Sequence, residues 1–102
     1  MANQSFDVII IGGGPAGYPA AIRASQLGLT ACVVERDKLG GVCVNIACIP
    51  TKALLHSAAM ANSIRKEAKE LGIEVGEVKT DFGVAMRRSR KVAEQNSKGA
   101  EF

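Results

Sequence analysis

Two groups of residues in this 102-residue chain have the types and spacing to do chemistry. The first is Gly12-Gly13-Gly14-Pro15-Ala16-Gly17, a G-x-G-x-x-G run of the kind that lets a backbone approach phosphate oxygens. The second is Cys43 and Cys48, five positions apart in Gly40-Gly41-Val42-Cys43-Val44-Asn45-Ile46-Ala47-Cys48-Ile49-Pro50-Thr51-Lys52. A regular helix would hold Cα atoms at that spacing about 8.6 Å apart and about 140° round its axis. A disulfide tolerates no more than about 7 Å. If the two sulfurs bridge, the backbone between them must be distorted, and an accessible bond of that sort suits catalysis better than scaffolding. Pro50 and the small Ala47 are compatible with distortion. Two duller readings stand beside this one: unpaired core thiols, or a zinc site shared with Cys32 and His56. The zinc site is the weaker, because C-x4-C followed by a distant histidine is not a usual ligand spacing.

The glycine run needs a strand before it and a helix after it. Phe6-Asp7-Val8-Ile9-Ile10-Ile11 is an almost unbroken apolar run, which predicts a parallel strand buried on both faces. Pro15 suits the first turn of a helix, Ala16, Ala20, Ala21, Ile22, Ala24 and Leu27 give it an apolar face, and Gly28 ends it. Pro19 is the awkward residue there, since beyond the first turn it removes a backbone donor and bends the helix. Ala31-Cys32-Val33-Val34 is a second apolar run, in which Cys32 reads as a buried small hydrophobe. Strand, helix and strand in about thirty residues form a right-handed βαβ unit.

In that setting Gly12 permits the tight turn, Gly14 lets the backbone come close to a pyrophosphate, and Gly17 lets helix pack on strand. The helix N-terminus adds free N–H groups and the positive end of its dipole. Glu35, at the end of the second strand, is placed to reach ribose hydroxyls, and its charge disfavours a 2′-phosphate. Arg36 beside it is solvated or meets the adenosine end. The pattern does not separate FAD from NAD, because both present an ADP half.

Beyond Pro50 a helix is expected, with Leu54, Ala58, Ala61, Ile64, Ala68 and Leu71 on one face, His56 partly exposed and Gly72 as its end. Ile73 and Val75 suggest a short extended stretch. Asp81 reads as the N-cap of a last helix carrying Phe82, Met86, Ser89 and Ala93 along one stripe. Arg87, Arg88, Arg90 and Lys91 fall mostly off it, on a wet face.

Composition narrows the function classes. A hydrophobic fraction of 47% marks a globular chain, and its length allows one domain at most. A net charge of +3 with no tryptophan and one tyrosine is poor support for nucleic-acid binding. No uninterrupted apolar run reaches the roughly 18 to 20 residues that span a bilayer. Three cysteines behind an Asn3-Gln4-Ser5 start do not read as an exported disulfide framework, so the expected compartment is cytoplasmic.

The stretches GGGPAGYPAAIRASQLG and VVERDKLGGVCVNIACIPTKALL closely resemble the start of the pyridine nucleotide–disulfide oxidoreductases, with the dihydrolipoamide-oxidising branch as the nearest likeness. The C-x4-C block running into Ile49-Pro50-Thr51-Lys52 is the most specific part. The resemblance implies an incomplete α/β, Rossmann-like FAD-binding domain over residues 1–102, its N-terminal part, with a third strand and downstream domains expected elsewhere and marginal stability alone. It implies FAD as cofactor, with Gly12, Gly14, Pro15, Ala16 and Gly17 at the pyrophosphate. Glu35 and Arg36 would lie at the adenosine end, and Gly41, Val42, Cys43, Cys48 and Lys52 along the flavin half. Cys43 would be the thiol that meets substrate, Cys48 the one beside the flavin, and Lys52 a cation near the ring. NAD+ is the implied co-substrate of a homodimeric parent, a lipoyl domain the implied partner, and no metal is implied. The residues alone also allow a relative acting on glutathione or mercury, or a nucleotide-binding module without electron transfer. Ala47 departs from the glycine usual at that point, and its methyl costs about 1 kcal/mol if the position needs positive φ.

Overall fold

A computed structural model of the chain describes residues 3–101. In order it holds β1 (Val8–Ile11), α1 (Gly17–Gln26), β2 (Ala31–Val34), α2 (Gly41–Asn45), α3 (Cys48–Lys66) and α4 (Phe82–Gly99). The two strands pair in parallel with Val8 opposite Ala31 and Ile11 opposite Val34. With α1 packed across both strands, they make the expected βαβ unit. The chain then runs out into an α3–α4 hairpin, and the whole measures 66 × 26 × 16 Å with a radius of gyration of 20.1 Å. A compact chain of this length would have a radius near 13 Å.

That shape explains the main correction to the sequence reading. β1 is not buried on both faces. Ile10 lies under α1, while Ile9 and Ile11 on the other face are 62% and 89% exposed and Val34 beside them is 52% exposed. Cys32 shares this open face and is half-buried rather than buried. An apolar run signals a strand meant to be covered twice, and only α1 covers it among the described residues. The buried hydrophobic residues are correspondingly small: Ala24, Val44, Ala53, Ala68 and Ala93.

α1 begins at Gly17, two residues later than Pro15 suggests. Pro19 therefore falls in the first turn, where an N–H has no intrahelical acceptor, and costs the helix nothing there. Leu27 closes the helix and Gly28 follows at φ +82°, as its position predicts. α3 stops at Lys66 instead of running to Leu71; turns carry the chain to Gly72 at φ +72°, and residues 73–80 form no strand. In α4 the Asp81 cap is present, its Oδ1 accepting from Val84 N at 3.1 Å. The buried stripe is Ser89, Ala93 and Ser97, whereas Phe82 is 69% exposed. Small residues let α4 approach α3 closely, while Phe82 lies at the connected end of the hairpin beside an open hollow. Arg87, Arg88, Arg90 and Lys91 are exposed, as expected, though Arg88 also donates to the Ala53 carbonyl at 3.2 Å.

Gly41–Lys66 contains an 18-residue window of mean hydropathy 1.3 and is long and apolar enough to cross a membrane by length and composition alone, although no uninterrupted apolar run marks it. It is interrupted by the break at Ile46–Ala47, carries Lys52 in its midst and packs through α3 on α4, with 17% of the apolar window buried.

The starts of β1 and β2 are tied by a reciprocal clamp that sequence patterning did not reveal. Asp7 Oδ2 accepts from Thr30 N at 2.8 Å and Thr30 Oγ1 at 2.7 Å, while Asp7 N donates back to the Thr30 carbonyl at 3.0 Å. The Thr30 backbone N–H, and then its hydroxyl, hold the Asp7 carboxyl below its ordinary value of 3.8. A lowered folded-state pKa adds stability above the unfolded value and loses it as pH falls through the folded one. Asp7→Asn should therefore melt below wild type at pH 7, with the gap closing as pH drops below about 3.8. Thermal unfolding followed from pH 7 to 2 checks this; a gap independent of pH contradicts it.

Candidate functional site

The glycine run lies at the carboxyl ends of the two parallel strands, where open α/β sheets bind ligands. Gly12 N donates to the Val34 carbonyl at 2.8 Å, and Gly12 turns the chain away at φ +101°. Gly17 packs on that turn so closely that a Cβ there would collide with the Gly12 carbonyl oxygen and touch Ile10. Gly14 is different, because a Cβ on it would meet no atom within 4 Å. A side chain there would stand in open space and disturb no packing within the fold. The N–H groups of Gly14 and Ala16 have no hydrogen-bond acceptor among the described residues, while the Gly14 carbonyl accepts from Gly17 and Tyr18 at 2.9 and 3.2 Å. Free donors at the start of α1 fit a pyrophosphate.

Glu35 has both oxygens engaged. Gly13 N donates to Oε2 at 2.7 Å and Asp37 N to Oε1 at 3.0 Å. These contacts, that of Gly13 first, hold the carboxyl below its ordinary range, so it is ionised at neutral pH. Each oxygen retains a further lone pair for a sugar hydroxyl. Glu35, Arg36, Gly12, Gly41 and Val42 line one cleft of about 480 Å³, within the size range of ligand pockets. A larger hollow of about 830 Å³ lies between α3 and α4 and contains none of the predicted site residues.

The second motif is brought against the first. Gly40 N donates to the Gly13 carbonyl at 2.7 Å, and a Cβ on Gly41 would stand 3.0 Å from the Gly14 Cα. Gly40 turns the chain at φ +96° into α2, which carries Cys43. After one short helix the backbone breaks at Ile46 (φ −125°, ψ −39°) and Ala47 (φ −111°, ψ −84°), and α3 starts at Cys48. The Val42 carbonyl holds this break by accepting from both Ile46 N at 2.9 Å and Ala47 N at 2.8 Å. The result is a Cα–Cα distance of 4.6 Å and a Cys43–Cys48 disulfide. Neither sulfur is then available to a metal, and Cys32 stays free on β2. Ala47 has negative φ, so the strain its methyl would cost at positive φ does not arise. Cys48 is exposed and Cys43 half-buried. Lys52 stands one turn beyond Cys48, exposed and without a hydrogen-bond or ion-pair partner among the described residues. His56 follows it on an exposed part of α3. Asn45 escaped the sequence reading; its Nδ2 donates to the Leu39 and Gly41 carbonyls at 3.1 and 2.9 Å, and only the backbone geometry of the loop exposes that role.

Gly14 and Gly17 thus differ in what a side chain would meet. Gly14→Ala should change stability by less than about 0.5 kcal/mol yet abolish FAD binding, whereas Gly17→Ala should cost about 1–3 kcal/mol. Urea unfolding and quenching of FAD fluorescence measure the two effects. Equal destabilisation by both substitutions contradicts the assignment.

The comparisons with known proteins agree with this geometry. The pyridine nucleotide-disulphide oxidoreductase family model matches residues 6–102. Dihydrolipoyl dehydrogenase of Mycobacterium leprae is 52% identical over 97 residues, which is 95% of this chain and 21% of that protein. The enzyme of the same name from Chlorobaculum parvum is 50% identical over 101 residues, 99% of this chain and again 21% of the relative. Among solved structures, the HOCl-induced flavoprotein disulfide reductase RclA of Escherichia coli matches 96% of this chain and 19% of its own with a TM-score of 0.72 and 28% identity. The chain spans about a fifth of the length of these relatives. Glycine turn, acidic strand end and bridged cysteine pair together belong to a fragment of a flavin-binding domain, and the chain belongs to the pyridine nucleotide-disulphide oxidoreductase family.

Proposed function

We propose that this chain is the FAD-cradling, disulfide-bearing part of an enzyme that oxidises a protein-bound dihydrolipoyl group with NAD+ as final acceptor. The observation that carries the reading is the Cys43–Cys48 bridge, set across a helix break beside the glycine turn. Identity of 50–53% to proteins named dihydrolipoyl dehydrogenase, against 28% to a disulfide reductase of another kind, favours the lipoyl substrate.

Gly12, Gly14, Pro15, Ala16 and Gly17 hold the pyrophosphate of FAD in this reading, and Glu35 and Arg36 its adenosine end. Gly41, Val42, Cys43, Cys48 and Lys52 line the flavin end. When bound, FAD supplies a two-electron relay between the reduced pair and NAD+. One substrate thiolate attacks Sγ of Cys43; the sulfur–sulfur bond breaks and Cys48 leaves as a thiolate. The second substrate thiolate then displaces Cys43, so the substrate closes its own disulfide and the pair has gained two electrons. The exposed flank of Cys48 leaves room for a planar ring, and the Lys52 ammonium one turn on favours the thiolate. The partner is the lipoyl domain of a 2-oxo acid dehydrogenase complex or of the glycine cleavage system, and the enzyme is a homodimer. A cytoplasmic setting accords with the free Cys32 thiol and with a bridge that must be reduced in every cycle.

The test uses a polypeptide carrying this sequence at the full length of its relatives. Anaerobic two-electron reduction should produce a long-wavelength absorption band from the Cys48 thiolate beside the ring. Cys48→Ser should abolish the band and Cys43→Ser should retain it. A reduced wild-type protein without the band, or one that keeps it after Cys48→Ser, contradicts the proposal.

A further inference from the structure

We propose that Ser97 is a positioning residue for the Cys43–Cys48 pair and acts through the Leu39 carbonyl. Ser97 lies near the end of α4, is 5% exposed, and donates from Oγ to the Leu39 carbonyl at 2.7 Å across a separation of 58 residues. That carbonyl also accepts Asn45 Nδ2. Leu39 sits against Gly13 and precedes Gly40, whose N–H holds the Gly13 carbonyl. One peptide group therefore joins the phosphate turn, the cysteine-bearing α2 and the far helix α4.

Ser89 supplies the contrast. It lies on the same buried stripe at 0% exposure, but its hydroxyl donates within its own helix to the Met86 carbonyl at 2.7 Å. Such back-bonding is the ordinary use of a helical serine. Ser97 gives its hydroxyl to a different element instead. That matters because α2 has only five residues, too few to hold themselves in a helix or in a place. Its position comes from the Leu39–Gly40 turn at its start, from Val44 buried among its neighbours, and from the bridge that leaves its middle at Cys43 for Cys48. Removing the Ser97 hydroxyl loosens the first of these, so that in the dithiol form Cys43 spends less time within bonding reach of Cys48.

The inference rests on the reading of this pair as redox-active, and the test separates the two. The full 102-residue chain, without flavin, is equilibrated with dithiothreitol and its cyclic disulfide. The bridge takes up two electrons and two protons as the reagent closes its own ring, and alkylation of the free thiols reads the ratio. Ser97→Ala should shift the equilibrium about three- to tenfold toward the dithiol, the worth of one hydrogen bond. Ser97→Thr, which keeps the hydroxyl, should stay within about twofold of wild type. Ser89→Ala should leave the equilibrium unchanged. An unshifted Ser97→Ala, a shift toward the disulfide, or an equal shift in Ser89→Ala overturns the inference and leaves the redox reading intact. A wild-type pair that dithiothreitol cannot reduce overturns both. A second measurement needs no substitution. Coupling is reciprocal, so reducing the wild-type bridge should speed hydrogen exchange at Gly40 N–H by a similar factor and leave Thr30 N–H unchanged. Equal exchange at Gly40 in the two redox forms overturns the inference.

Discussion

Two cysteines that a regular helix would hold about 8.6 Å apart are brought to a Cα–Cα distance of 4.6 Å, and the structure around them is organised to make that possible. The device is a single carbonyl. Val42 accepts the N–H of both Ile46 and Ala47, which closes α2 with a wide turn and restarts the chain as α3 at Cys48. A helix break leaves polar groups in need of partners. Here Val42, Asn45 and the Ala47 carbonyl, which accepts from Thr51 N at 3.0 Å, supply them.

The bridge acquires meaning from what it stands beside. Gly40 N–H joins the cysteine loop to the Gly13 carbonyl, and Glu35 holds the N–H of the same glycine. The glycine turn and the disulfide are thus parts of one small framework, in which a shift of Gly13 is felt at both. The framework is thinly supported elsewhere. Among the described residues, its buried hydrophobic residues are three alanines and the lone Val44 apart from Ala24 on α1, and one face of the sheet is uncovered. Precision at the site comes from backbone hydrogen bonds and glycine contacts more than from a large core.

The residues with a purely local physical meaning were legible in the sequence. Gly12 turns, Gly17 admits a helix, Gly28 ends one and Asp81 caps one, each because a short-range steric or hydrogen-bonding rule decides the matter. The βαβ unit followed from two apolar runs and the helix between them. What escaped depended on partners distant in sequence. Nothing local announces that Thr30 clamps Asp7 or that Ser97 reaches Leu39. The spacing of Cys43 and Cys48 showed that a bridge requires a break, but not that the break would keep negative φ at Ala47 and so tolerate its methyl. Ile9, Ile11 and Cys32 were expected to be buried because an apolar pattern records what a strand is built to be covered by, and α1 covers one side only. Pro19 was misjudged by the onset of its helix, a boundary that two residues decide.

Everything at the site depends on Cys43 and Cys48 being bonded to one another while Cys32 stays free. Digestion with trypsin after blocking free thiols tests that pairing directly, since residues 39–52 form one peptide that contains both cysteines of the pair. The account predicts that this peptide emerges unlabelled and lighter by two hydrogens, with the label on Cys32 alone. Label on Cys43 or Cys48 in protein kept oxidised throughout, or a peptide linking either of them to Cys32, contradicts it.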